Sequence, residues 1–251
     1  VSCLLEYAYD DWCIARMAQE MGKEDIYKKY IERSQNYINV FDGATRFFRG
    51  KRMDGNWESP FNPLAVGRAY TEATAWQYRF FVPHDVNGMI QLFGGKEEFV
   101  AALDDIFNTD AEIHGNLVDI TGLIGQYVHG NEPSHHIAYL YNYVGEPWKT
   151  QKMSRRLLNE MYHPTPEGII GNEDCGQMSA WYILSSMGLY SVCPGSNEYV
   201  LTTPLFEKVV VHLANGRTLT ILANDPQKNI YITKVELNGK QIDTNFITYD
   251  C

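Results

Sequence analysis

The chain has 251 residues, 45% of them hydrophobic, with 21 Lys and Arg against 31 Asp and Glu for a formal net charge of −10. That length and apolarity are enough to bury a sizeable core, even in a single all-helical or barrel domain. The acidic balance excludes the basic surface that nucleic acid requires, and no stretch approaches the roughly 20 apolar residues of a membrane span.

The spacing of Leu5, Ala8, Tyr9, Trp12 and Ala15 predicts a helix over residues 3–22, with Gly22 as its stop. Glu6, Asp10 and Asp11 make this an amphipathic helix rather than a signal peptide. A second helix is predicted over 24–41 through Ile26, Tyr30, Ser34 and Tyr37. The loop DGATRFFRGKRMDGNWESPFNP follows, dense in Gly, Asp, Asn and Pro and carrying Arg49, Arg52, Asp54 and Trp57. Long ordered loops of this kind are often binding elements. Further helices are predicted over 71–82, 85–93, 96–107, 117–128, 134–144, 149–161 and 175–188. Paired helices separated by polar loops suggest a toroid or bundle.

The pattern changes near Tyr190. Beyond it β-branched residues dominate, with turn signals at Asn215-Gly216, Asn224-Asp225-Pro226 and Asn238-Gly239, so antiparallel strands are expected. The fold is read as mainly α with a β C-terminal region, divided into 1–189 and 190–251. Cys3, Cys13, Cys175, Cys193 and Cys251 show no CxxC pairing and no zinc-ligand spacing, and their odd number fits no simple disulfide framework.

Three polar loops carry possible chemistry. In YTEATAWQYRFFVPHDVNGMI, Glu72 precedes Trp76 by one helical turn. An indole beside a carboxyl removes solvation, raises its pKa and favours the protonated form that a general acid needs. Arg79, two turns on, would act the other way if close. The plainer reading, which spacing alone favours, is that Glu72 complements the helix dipole.

In HGNEPSHHIAYLYNYVG, Pro133 suits a first helical turn and leaves Asn131 and Glu132 at its entrance. Their side-chain oxygens, with carbonyls and water, are what calcium takes. Zinc on His129, His135 and His136 is the weaker option, since there is no HExxH and adjacent helical histidines diverge by about 100°. Capping groups and core histidines are the plain alternative. In PEGIIGNEDCGQMSAWYILSSMG, Asp174 and Gln177 have capping-box spacing. A carboxylate held at a helix N-terminus also stays ionised to low pH, which suits a general base. Spacing alone favours the cap, and capping does not exclude the chemistry.

Taken together, EYAYDDWCIA, EATAWQYRFFVPHDVNGMIQLFGG, HGNEPSHHIAYLYNYVG and GIIGNEDCGQMSAWYILSSMGLYSVCPGSNEYVLTTPLFEKVVVHL resemble the α-mannosidases of glycoside hydrolase family 92, in order, from about residue 4 to residue 240. The resemblance implies exo-acting, calcium-dependent, inverting hydrolysis of α-linked mannose. It implies part of an (α/α)6 barrel followed by antiparallel strands, in a parent protein whose N-terminal β-sandwich lies outside this chain. It matches Glu72 to the family's general acid and Asp174 to its general base, with Asn172 where some members have a further Asp. Asn131 and Glu132, with Gln77 as a third candidate, are the expected calcium ligands. Trp57, Trp76 and Glu173 are the candidates to bind substrate, an α-mannose-containing glycan such as an N-glycan branch. By the same resemblance a periplasmic, secreted or cell-surface location in a bacterium is expected.

Overall fold

In a computed structural model of the protein, residues 1–115 and 120–249 are described. They form two compact units, Val1–Ser134 and His135 onward.

The first unit opens with α1 (Ser2–Glu20) and α2 (Glu24–Arg33), joined through Gly22 at φ +66°. Helix α1 buries Leu5, Ala8, Ala15 and Ala18 on one face. Its buried Asp11 meets Arg33 of α2 at 3.0 Å. The second helix is shorter than the predicted 24–41, because from Ser34 to Val40 the chain tightens into a 3-10 helix. The Ser34 hydroxyl donates to the Ile31 carbonyl at 2.7 Å, a back-bond that competes with continuing α-helix. A short antiparallel pair follows, β1 (Phe41–Asp42) with β2 (Phe47–Phe48).

Residues 71–82, predicted as a helix, form a run of turns instead. Glu72 sits at φ +54°, which a right-handed helix forbids. Every residue from Ala73 to Phe80 is buried, so the segment has no solvent face. Beyond it, Pro83–Asp85 is a 3-10 turn leading into α3 (Val86–Leu92), and α4 spans Lys96–Asn108. Asp85 caps α3, accepting from the Gly88 N–H at 2.8 Å and from the Tyr37 hydroxyl at 2.7 Å. A Cβ on residue 88 would lie 2.4 Å from that carboxylate and 2.5 Å from the phenol, so a side chain there would displace the cap.

The predicted helix over 117–128 falls partly on residues 116–119, outside the described residues. Its remainder is a hairpin of β3 (Leu123–Ile124) and β4 (Tyr127–Val128), turned by Gly125 at φ +59°.

The core of this unit is aromatic. Phe93 packs against Phe41, Phe80 and Phe99 at centroid distances of 5.2, 5.5 and 5.2 Å. Into it the chain inserts Arg79, only 5% exposed. Its guanidinium lies 4.5 Å from the Phe47 ring and 5.0 Å from Trp76, and it donates to the Arg46 carbonyl at 3.1 Å. Burial lowers its pKa to about 10, so the group stays cationic at neutral pH.

In the second unit the predicted helix 134–144 is a 3-10 run over Ile137–Val144, buried at nearly every position. Next come α5 (Pro147–Glu160), with proline in its first turn, and α6 (Gln177–Met187). Trp181 of α6 stacks on Tyr162 at 5.8 Å and donates its indole N–H to the His135 carbonyl at 3.0 Å.

In this unit strands begin at Leu189, next to the composition change near Tyr190. β5 (Leu189–Tyr190), β6 (Glu198–Leu201) and β11 (Phe246–Thr248) form one antiparallel sheet in the order β11-β6-β5. β7 (Lys208–His212) pairs with β8 (Thr218–Leu222), and β9 (Val235–Leu237) with β10 (Lys240–Ile242). The Asn215-Gly216 and Asn238-Gly239 signals fall in those two hairpin turns.

His84 makes the first unit sensitive to acid. Its ring packs among Tyr9, Trp12 and Tyr37, Nε2–H donates to the Ser34 carbonyl at 2.9 Å, and the buried Nδ1 has no hydrogen-bond partner among the described residues. Burial lowers its pKa from the ordinary 6.5, against the opposing Ser34 bond and Asp85 charge. A neutral ring so held gives stability that is complete above the ordinary value and lost as pH falls below it toward the folded value. The melting temperature should therefore drop between about pH 7 and about pH 5, and His84→Gln should flatten that drop. Equal slopes in the two proteins, read by circular dichroism, would rule the ring out as the cause.

Candidate functional site

The candidate residues are divided between the units: Trp57, Glu72, Trp76, Gln77, Asn131 and Glu132 belong to the first, Glu173 and Asp174 to the second.

Glu72 is exposed on a left-handed backbone, and its side chain makes no hydrogen bond or ion pair among the described residues. Its own carbonyl accepts from Asn131 Nδ2 at 2.9 Å. Arg79, two turns away in the helical reading, points instead into the aromatic core, and its acidic neighbour is Asp105 at 3.9 Å. Spacing alone did not bring out Glu6. Tyr78 donates to Glu6 at 3.2 Å, and burial raises the Glu6 carboxyl, with Asp10 and Glu132 adding to the effect. Burial also raises the Tyr78 phenol, and Glu6, Cys3 and Glu72 push the same way. Glu6, Glu72 and Glu132 thus share one neighbourhood. The one sequence trace of this is that Glu6 opens EYAYDDW, a motif of the family pattern.

The two tryptophans have little free ring. Trp76 is 8% exposed, edge-on to Phe47 at 5.0 Å and under the Arg79 guanidinium. Trp57 is half-buried, with Lys51 Nζ 4.4 Å and the Arg49 guanidinium 5.6 Å from its ring centroid. Inside this unit both act as packing for cations, so sugar stacking would use what surface remains.

The three expected calcium ligands differ in their fit. Gln77 is fully buried, its Oε1 accepts from both the N–H and the hydroxyl of Thr74 at 2.7 and 2.9 Å, and its Nε2 donates to the Gln126 carbonyl. That oxygen is saturated, so Gln77 does not fit as a ligand in this arrangement. Among the described residues Asn131 Oδ1 accepts only from the Glu132 N–H, at 3.2 Å, which leaves a lone pair. Asn131 and Glu132 therefore fit as adjacent oxygen donors to a hard cation. Among the described residues no three His, Cys, Asp or Glu converge on a metal position, so carbonyls and water must complete any such site. His129 is a core residue, its Nδ1 2.8 Å from the Tyr127 hydroxyl.

In the second unit the adjacent acids have separate jobs. Glu173, not Asp174, caps α6: its carboxylate accepts from the Gly176 N–H at 2.6 Å and the Ser179 N–H at 3.2 Å, and these bonds lower its pKa. The capping box expected from Asp174 and Gln177 does not form. Asp174 contributes only its carbonyl, to the Gln177 N–H at 3.2 Å. Its exposed carboxylate has no hydrogen bond or ion pair among the described residues. The turn reaches this arrangement by holding Asp174 and Cys175 at φ +54° and +56°.

Residues with side chains rarely adopt such angles, at about 1–3 kcal/mol each, and they persist where the surroundings over-determine them. Six non-glycine residues of the described chain do so: Arg46, Glu72, Asp174, Cys175, Asp225 and Asn238. Both carboxylates singled out for chemistry are in that set. A cleft of about 660 Å³ also opens in the second unit, between the β8 face and the segment that leads into β9. Leu189, Leu201, Ile221, Ile232 and Leu237 line it together with polar residues such as Asn229 and Glu236, and it includes neither Glu72 nor Asp174.

The family model for the glycosyl hydrolase family 92 catalytic domain matches residues 1–251. An uncharacterized secreted glycosidase of Arthroderma benhamiae is 31% identical over 277 residues, covering all of this chain and 34% of the relative. A family 92 α-mannosidase of Bacteroides thetaiotaomicron, solved with mannoimidazole, superposes with a TM-score of 0.92 at 42% identity, covering 98% of this chain and 34% of that one. An inverting family 92 mannosidase of the same bacterium gives 0.87 at 39% identity, over 98% and 35% of the two chains. The chain thus spans about a third of the length of these relatives.

The division of labour at residues 173 and 174 is open to a stability test. Glu173→Ala should lower the melting temperature, because two backbone N–H groups at the start of α6 lose their acceptor. Asp174→Gly should leave it unchanged or raise it, because glycine takes the left-handed angle without strain. The reverse order in thermal unfolding would return the capping role to Asp174.

Proposed function

The chain belongs to glycosyl hydrolase family 92, and on that premise we propose that it is the part of a calcium-dependent, inverting, exo-acting α-mannosidase that supplies both reacting carboxyl groups. What supports this most directly is the state of Glu72 and Asp174: each is exposed, without a hydrogen bond or ion pair to its carboxylate among the described residues, and held on strained backbone. The substrate class is an α-mannose-containing glycan, in keeping with the solved relatives, and the likeness to a secreted glycosidase favours a location outside the cytoplasm. The proposal carries over the family's (α/α)6 barrel as the parent architecture.

In inverting hydrolysis one carboxylic acid protonates the departing glycosidic oxygen. A carboxylate on the opposite face takes a proton from the attacking water, so the anomeric centre inverts in one displacement. Glu72 is the acid: the proton on its carboxyl passes to the leaving oxygen as the C1–O bond breaks. Asp174 is the base, and its freedom from the α6 cap leaves both oxygens available to hold and deprotonate water. Glu173 serves this indirectly, since by binding the helix N-terminus it spares its neighbour that role. Trp57, Trp76 and Glu173 remain the proposed surroundings of the sugar. Asn131 and Glu132 would hold calcium, which when bound supplies a Lewis acid able to grip sugar hydroxyls.

Proton NMR of α-mannobiose incubated with the protein should show β-mannose released first, with release stopping on addition of EDTA. First release of α-mannose would overturn inversion, and unchanged release in EDTA would overturn the calcium role. Asp174→Asn should abolish turnover on every substrate. Glu72→Gln should slow alkyl and glycosyl mannosides by about 10²- to 10⁴-fold and 4-nitrophenyl mannoside far less, since a good leaving group needs little protonation. Equal losses on both substrates would remove Glu72 from the acid role.

A further inference from the structure

We propose that Ser2 is a positioning residue for Glu72: it clamps the backbone that holds the acid in its left-handed conformation. The inference rests on the reading of Glu72 as the general acid, and it starts from a buried serine bonded to the residue just before that acid. Ser2 lies on α1, and its hydroxyl bonds outside the helix, to Thr71. It is 2% exposed, so the hydroxyl is directed into the protein.

Its partners lie immediately before the acid. The Ser2 oxygen accepts from the Thr71 N–H at 3.1 Å and shares a further hydrogen bond with the Thr71 hydroxyl at 2.9 Å. The Ser2 N–H donates to the Ala69 carbonyl at 2.9 Å. On the other side of Glu72, its own carbonyl is held by Asn131 Nδ2 at 2.9 Å, and Thr74 is tied twice to Gln77. The peptide units before Thr71 and after Glu72 are therefore both fixed. Only Thr71 and Glu72 lie between these two fixed peptides, so relaxation of Glu72 from φ +54° has just their four dihedrals to absorb it, and releasing the Ser2 end frees it. Relaxation would rotate Cβ and swing the carboxyl away from its present direction. Asn131 is already accounted for as a cation ligand. Ser2 lies on a different element and has no other visible role.

The test uses two readouts, one of which needs no turnover. In a thermal cycle, Glu72→Gly should raise the melting temperature of the wild type by about 2–4 °C, by relieving the left-handed strain. In a Ser2→Ala background, where the backbone is free to relax, most of that gain should vanish. Gains that are equal in the two backgrounds would overturn the clamp. In the kinetic cycle, Ser2→Ala should lower kcat on α-mannobiose by about 10- to 100-fold, with KM and the 4-nitrophenyl substrate little affected. In a Glu72→Gln background it should have no further effect. A loss that persists there, or that falls equally on both substrates, would make Ser2 a merely structural residue. Thr71→Val, which removes only the hydroxyl pair, should give a smaller loss in the same direction, and no loss would count against the clamp. If Glu72→Gln itself fails to discriminate leaving groups while the thermal coupling is present, the acid assignment falls and the clamp stands.

Discussion

Arg79 carries a full charge into the aromatic interior of the first unit, and the arrangement of the neighbouring segment follows from keeping that charge satisfied. Removing a guanidinium from water costs several kcal/mol unless it is compensated. Compensation here comes from Phe47 and Trp76 at 4.5 and 5.0 Å and from the carbonyl of Arg46, drawn from the β2 strand, its approach and the 71–82 segment. Each desolvated cation–aromatic contact contributes up to about 2 kcal/mol. These contacts hold residues 73–80 as a buried, irregular run rather than a helix with one wet face. Glu72, at the edge of that run, stays outside.

Strain is concentrated where chemistry is proposed. Glu72 and Asp174 adopt the same left-handed angle in different units, and neither carboxylate has a partner among the described residues. A carboxylate that is already hydrogen-bonded or ion-paired would have to break that bond to act as an acid or base. Holding it free requires the surrounding backbone to be fixed by other groups. Asn131 and Gln77 do this around residue 72, and Glu173 does it beside residue 174. Adjacent acids in GNEDCG therefore represent neither redundancy nor a simple cap. One stabilises the helix so that the other need not.

The same logic explains why the tryptophans and Gln77 look different in the fold than in the sequence. Trp76 and Trp57 pack against Arg79, Lys51 and Arg49, so their faces serve the interior first. Gln77 sits where a metal ligand was expected, but Thr74 already fills both lone pairs of its oxygen. Burial decides these cases, because a buried polar atom takes the nearest partner that the backbone supplies.

Much of this protein was legible in its residues. The face of α1, the stop at Gly22, the helix over 149–161 and the hairpin turns at Asn215-Gly216 and Asn238-Gly239 follow from local propensities, and the fold bears them out. Family membership was likewise carried by motif order, which needs no coordinates. The sequence by itself also singled out two acids, Glu72 at the start of a predicted helix and Asp174 just before another. Only the tertiary structure decided what those positions are like: that 71–82 is not a helix, that Glu173 rather than Asp174 is the cap, and that both proposed reacting groups stand unengaged on left-handed backbone. Spacing rules assume that a segment chooses its conformation from its own side chains. Here the choice was made by partners distant in sequence, Asn131 for Glu72 and the Phe47 and Arg46 contacts for Arg79, and a one-dimensional pattern does not carry those.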